Sequence, residues 1–151
     1  MTAVRHYLEL RFAGGVFLMP NLPDLLVEPR ENMLVEIRGR AAAVRSVQSV
    51  TWRAYALGPD WAPVTDSPWT RAVFLGAPGR RPVGLLVEDL KLLAADGLRI
   101  EPFTPLGPAP VSGQHLFKAA AMRTGALTLV LDPDALASYL RAQEDIHGPG
   151  R

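Results

Sequence analysis

Side chains able to do chemistry are few in this chain, and they are scattered. Three histidines, His6, His115 and His147, share neither the helical nor the hairpin spacing that would bring them to one metal. Cysteine is absent, which removes disulfides and thiolate metal sites. No serine stands in a G-x-S-x-G elbow, and Ser112-Gly113 lies in a proline-rich stretch that reads as a turn. Neither a Walker A loop nor a G-x-G-x-x-G fingerprint occurs, so phosphates find no backbone cradle. Gly79-Arg80-Arg81 could hold an anion, but between two apolar runs it reads first as a solvated hairpin tip. Of the acidic pairs Asp132/Asp134 and Glu88-Asp89, the first fits the start of a helix, where a capping side chain and a negative charge both stabilise. The second follows an apolar strand and is expected to face water. These residues predict no catalysis and no metal, nucleotide or other cofactor.

The elements that position them are mostly strands. Leu8, Leu10 and Phe12 alternate with Tyr7, Glu9 and Arg11, which predicts a strand over 7–12 with one apolar face. Gly14-Gly15 supplies a tight turn and residues 16–19 return as a buried strand. Pro20 and Pro23 close that hairpin and preclude a long helix over 21–29. The alternation of Met33, Val35 and Ile37 predicts another strand before Gly39, and residues 50–57 a further one ended by Gly58-Pro59-Asp60. Residues 62–68, with two prolines and few apolar side chains, are the natural linker.

The second half follows the same plan. A short buried strand at 72–75, a hairpin loop at 76–81 and a return strand at 83–87 lead to a strand around Leu98 and Ile100 and a surface loop at 107–110. Residues 116–122 contain Ala119-Ala120-Ala121, which favours helix by propensity. The segment is short and bounded by Gly113 and Gly125, so a strand is the better reading, followed by an alternating strand at 127–131. Asp132-Pro133 then starts a helix expected over 134–143, and residues 144–151 are expected to form a frayed tail. Each half carries an Asp-Leu step after its hairpin, at Asp24-Leu25 and Asp89-Leu90, which suggests an internal duplication.

With 151 residues, 48% of them hydrophobic, the chain can form one compact unit or two small barrels that share an interface. A formal net charge of +1, with arginines dispersed, favours neither nucleic acid nor an anionic membrane. Charged residues interrupt the first ten positions, and no apolar run nears the roughly 20 residues needed to cross a bilayer. A soluble, cytoplasmic protein is expected, with no direct membrane insertion.

Three stretches carry a family resemblance. Residues 71–75 (RAVFL), 79–87 (GRRPVGLLV) and 116–136 (LFKAAAMRTGALTLVLDPDAL) follow one another in the order and spacing of the CheW-like domain family. Residues 10–20 resemble that family's opening hairpin, with Phe17 at its aromatic position and Pro20 at its proline. The resemblance implies a mainly β fold of two small interlocked five-stranded barrels with a C-terminal helix, divided here as 1–69 and 70–143. It also implies an adaptor that links chemoreceptors to a CheA-type histidine kinase and catalyses nothing.

The chain departs from the family at two places. Where the family has N-L-R-G, this sequence has Ser49-Val50-Thr51-Trp52, followed by Arg53. Where it has V-x-E-I, this sequence has Leu25-Leu26-Val27-Glu28. By the resemblance, Leu25, Glu28, Val50, Thr51 and Arg53 are the candidate protein-binding residues, with Glu28 and Arg53 at the polar rim. Leu25 and Val50 read equally as core residues. The alternative to an adaptor is a small barrel module that binds peptide or nucleic acid outside chemosensory signalling.

Overall fold

A computed structural model describes residues 4–77, 79–102, 116–123 and 125–147. Twelve strands and one helix follow in chain order: β1 (His6–Phe12), β2 (Gly15–Pro20), β3 (Leu26–Pro29), β4 (Ala43–Val47), β5 (Val50–Leu57), β6 (Pro63–Val64), β7 (Arg71–Ala77), β8 (Arg80–Val87), β9 (Asp89–Ala94), β10 (Arg99–Pro102), β11 (Phe117–Arg123), β12 (Ala126–Leu131) and α1 (Pro133–His147). The fold is mainly β with a C-terminal helix, as expected.

Two sheets form. One runs β10-β11-β12-β2-β1-β9; the other runs β3-β7-β8-β5-β4, with β6 paired to β5. Each sheet draws strands from both sides of residues 69 and 70. The β1–β2 hairpin lies among strands of the second half, through a parallel bridge of Leu18 to Val130. The β7–β8 hairpin lies among strands of the first half, through parallel pairing of Ala54 with Gly84 and Tyr55 with Leu85. Exchanging β1, β2, β3, β4 and β5 for β7, β8, β9, β11 and β12 converts one five-strand order into the other. The duplication suggested by the Asp-Leu steps therefore has a structural counterpart, because Leu25 immediately precedes β3 and Asp89 begins its equivalent, β9. Each sheet exceeds the five strands expected by one, β10 in the first and the two-residue β6 in the second.

Both sheets curl. Flat, the end strands β9 and β10 would stand about 24 Å apart. The chain joins them through a single 3-10 turn, Ala95–Gly97, and Leu98, a link that reaches at most roughly 17 Å. In the other sheet the end strands β3 and β4 are tied by an ion pair between Glu28 and Arg45, and Leu34 bridges Val44. Each barrel has its own interior. Tyr7, Leu18, Ala119, Ala121 and Val130 fill the first. Met33, Ala42, Ala43, Ala54, Phe74 and Leu86 are among those that fill the second. The largest core lies between the two, where Leu8, Leu10 and Phe12 of β1 meet Val73, Leu85 and Val87 and the helix residues Leu136 and Leu140. This explains why Tyr7 is buried although it faces away from Leu8: β1 has a core on both sides.

Local chemistry sets the boundaries. Ala13 and Gly14 both adopt positive φ, 53° and 75°, which makes the β1–β2 turn of the hairpin-favouring type. Gln48 and Ser49 do the same between β4 and β5. At the helix start the Asp134 N–H donates to Asp132 Oδ1 at 3.1 Å, so Asp132 is the cap that its position before Pro133 predicted.

Several expectations need correction. Residues 33–37 form no strand: a 3-10 turn at Arg30–Asn32 precedes them, and only isolated bridges, Leu34 to Val44 and Arg38 to Ala41, hold them. The stretch read as a linker contains β6, and the 76–81 loop is mostly strand. β9 went unpredicted, because its Lys91 and acidic start mask an edge of a sheet whose partner, β1, is far away in sequence. The helix continues four residues past Gln143 to His147. The 107–110 loop, Ser112 and His115 lie outside the described residues.

Candidate interaction surface

Leu25 sits in the turn before β3, where its N–H donates to the Leu22 carbonyl at 3.1 Å and its side chain packs, half-buried, on the core between the barrels. Glu28 is only 8% exposed. In the register of β3 on β7 it stands opposite Ala72, a residue of the second barrel's interior, so its carboxylate points inward. There it meets Arg45 and accepts a hydrogen bond from Asn32 Nδ2 at 2.9 Å. Two charges withdrawn from water tolerate this only when paired, and Asn32 completes the carboxylate's partners. Among the described residues the buried Arg45 Nε finds no hydrogen-bond acceptor. Glu28 thus serves as a tie across the barrel seam rather than a group at an open rim.

Val50, Thr51 and Arg53 lie together at the start of β5. Val50 pairs with Val47 beside the β4–β5 turn and remains 40% exposed. Thr51 and Arg53 share the opposite face of β5, both half-buried. The Thr51 carbonyl accepts a hydrogen bond from Arg81 Nη1 at 3.3 Å. Arg53 and Glu144 flank the buried Tyr55 hydroxyl, whose pKa is pushed above the usual tyrosine range by burial first and by the Glu144 carboxylate second. The structure therefore unites Val50, Thr51 and Arg53 at one corner. It sets Leu25 and Glu28 on the other side of β7 and β8 in the strand order.

A surface feature that sequence reasoning missed lies beside β4. Leu34, Val35 and Ile37 are all more than half exposed, Ile37 the most at 64%. The expected alternation would have buried Val35 and Ile37, but only Met33 of that set turns into the barrel. The alternating pattern could not reveal this, since a strand face and an outward apolar loop have the same letters. Leu26 and Val27 on β3 add further exposed apolar area near the same seam. A 2.8 Å ion pair between Arg38 and Glu36 borders the patch. Apolar side chains in such number beside a barrel seam suit a partner's surface more than bulk water.

Cavities open elsewhere among the described residues. One of about 460 Å³ lies at the end of the first barrel, lined by Leu93, Leu98, Arg123 and Thr128 among others. There Arg123 is held by Glu9. One of about 200 Å³ lies beside the β1–β2 turn. One of about 250 Å³ lies between the start of β8 and α1. Among the described residues no group of three His, Asp or Glu is placed to hold a metal ion, and no helix is long and apolar enough to cross a membrane.

Fold and surface define a class, that of interlocked double-barrel β proteins with an apolar patch at one barrel seam. No family model and no curated protein matches the chain. Among solved structures, the scaffolding protein TtCheW from Thermoanaerobacter tengcongensis is similar at 10% identity and a TM-score of 0.48, over 86% of this chain and 90% of that one.

Proposed function

We propose that this chain is a CheW-like adaptor that couples chemoreceptors to a CheA-type histidine kinase, in the cytoplasm and without catalysis. The observation that carries this reading is the exposed apolar patch of Leu34, Val35 and Ile37, held out by a well-packed barrel. Interfaces draw their affinity from a few large side chains at a desolvated centre, and this is the molecule's densest offering of that kind among the described residues. The interlocked two-barrel fold implied by the resemblance of residues 71–136 supports the same reading. In it, residues 1–69 and 70–143 are the two duplicated halves, each lending its first hairpin to the other. Val50, Thr51 and Arg53 contact the receptor beside the apolar patch, while Leu25 and Glu28 hold that corner in shape from behind.

The test is direct binding between purified partners. The chain is titrated against the regulatory domain of a CheA-type kinase and a receptor signalling tip from the same organism, by calorimetry. Saturable binding to both is expected, with Val50→Asp and Ile37→Asp losing at least one partner while their circular dichroism stays native. A folded wild-type chain that binds neither partner overturns the proposal.

A further inference from the structure

Around the cavity between β8 and α1, three arginines and one glutamate come together. Arg80, Arg81 and Arg141 line it together with Gly79, and among the described residues Glu144 is the one acid in its wall. Tertiary structure alone makes this cluster, because the first two residues begin β8 and the others lie on the third and fourth turns of α1. Two hydrogen bonds lock the arrangement. Arg141 Nη2 donates to the Arg81 carbonyl at 3.2 Å, and Arg81 Nη1 donates to the Thr51 carbonyl at 3.3 Å. Each bond occupies one edge of a guanidinium that carries five donors, so most of their N–H groups remain unspent. Arg80 is exposed and takes part in neither bond.

The charges do not balance. Burial lowers the pKa of Arg141, and the nearby positive charge of Arg80 lowers it further. Glu144 offsets part of that repulsion, but it also serves the Tyr55 hydroxyl. Among the described residues, one carboxylate shared in this way stands against three arginines, an excess of two positive charges in a concave site of about 250 Å³. A compact dianion with several acceptor oxygens matches that deficit in charge, size and hydrogen-bonding capacity.

We propose that the cavity formed by Arg80, Arg81 and Arg141 binds a phosphate-class oxyanion. Glu144 is the resident competitor: it holds the guanidiniums in place when the site is empty and repels the ligand as it enters. The site adjoins the proposed receptor contacts Thr51 and Arg53, through the Arg81–Thr51 bond and the Tyr55 hydroxyl, but it draws nothing from the 34–37 patch that carries the adaptor reading, so either can fail without the other.

The experiment is an NMR titration of the whole chain with inorganic phosphate at neutral pH, run against chloride at matched ionic strength. Saturable shifts at the Gly79 amide and at the side-chain N–H signals of Arg80, Arg81 and Arg141 are expected with phosphate and not with chloride. Arg80→Ala, an exposed change that should leave the fold intact, is expected to weaken binding about tenfold, as loss of a charge-assisted bond would. Glu144→Gln is expected to tighten it by roughly threefold, because a like charge leaves the wall. Acetate, a monoanion, should bind more weakly than phosphate. Shifts that rise linearly, that match those in chloride, or that are unchanged in both Arg80→Ala and Glu144→Gln would overturn the site. Acetate binding as tightly as phosphate would overturn the dianion chemistry.

Discussion

In the first barrel the residue of β2 opposite Val130 is Leu18; in the second the equivalent residue of β8, opposite Ala54, is Gly84. The strand order is shared, yet the interiors are filled from different sides. Leu18 projects into its barrel and β11, beyond β12 in the order, answers with Ala119 and Ala121. In the second barrel β8 contributes no side chain at that point. A Cβ added to Gly84 would stand 2.8 Å from the Ala54 Cβ and 2.8 Å from Phe74 Cε1. Volume there comes from Phe74, which meets Trp52 edge-on at 5.4 Å, while β4 and β5 supply Ala43 and Ala54. Close packing constrains total volume more than which strand provides it, so a duplicated topology can diverge in letters while keeping its backbone.

The barrels differ again in their charges. Each holds a carboxylate–guanidinium pair, Glu28 with Arg45 and Glu9 with Arg123. The first joins the two end strands of its sheet; the second links β1 to the last residue of β11, with β12 and β2 between them in the order. The Glu28 side chain is 10% exposed and that of Glu9 17%. One barrel is thus tied shut by a side-chain pair, the other by the continuous chain from β9 to β10. What the seam with the ionic tie gains is freedom to present an apolar segment beside it.

The strongest way to break the comparison is to empty the second barrel. Phe74→Ala should cost about 3–5 kcal/mol, since it removes a ring that is 1% exposed and packed on Trp52. Urea unfolding would show it as a lower midpoint; a loss below about 1 kcal/mol would mean that the barrel collapses freely around small residues. Next come the two ion pairs. Glu28→Ala leaves Arg45 uncompensated inside the seam and should cost about 3 kcal/mol, against about 1 kcal/mol for Glu9→Ala, whose partner reaches water more easily. Equal losses in the two variants would deny Glu28 its special place in closure. Gly84→Ala should cost about 1–3 kcal/mol by overpacking, and pairing it with a smaller residue at 74 should return part of that loss. A strictly additive double variant would refute the contact between the two positions. The smallest effect on stability is expected from Ile37→Asp, within about 0.5 kcal/mol of wild type in thermal unfolding. A large loss there would mean that the 34–37 segment is part of the fold and not a surface held out from it.

Much of this was legible from residue order. The alternation in β1, the run Val83 to Val87 in β8, the Gly14 turn and the Asp132-Pro133 helix start each reflect local physics: side-chain period, turn conformation and capping. The mainly β class and the C-terminal helix follow from those signals. Even the strand at Ala119-Ala120-Ala121 was readable from its length and its glycine flanks, although its reason, room for Leu18, was not.

Other features are decided only when distant segments meet. Val35 and Ile37 point outward because Leu34 bridges Val44 and turns the segment along the seam, and alternation within the segment carries no trace of a partner elsewhere. β9 exists because β1 offers it an edge. Glu28 is buried because Arg45, on a strand at the opposite end of the sheet, closes over it. Arg80, Arg81 and Arg141 become one site because α1 packs on β8. Periodicity and capping report the torsions and faces of neighbouring residues, so sequence determines elements; pairing, burial and charge depend on which segments share space, and tertiary structure alone decides that.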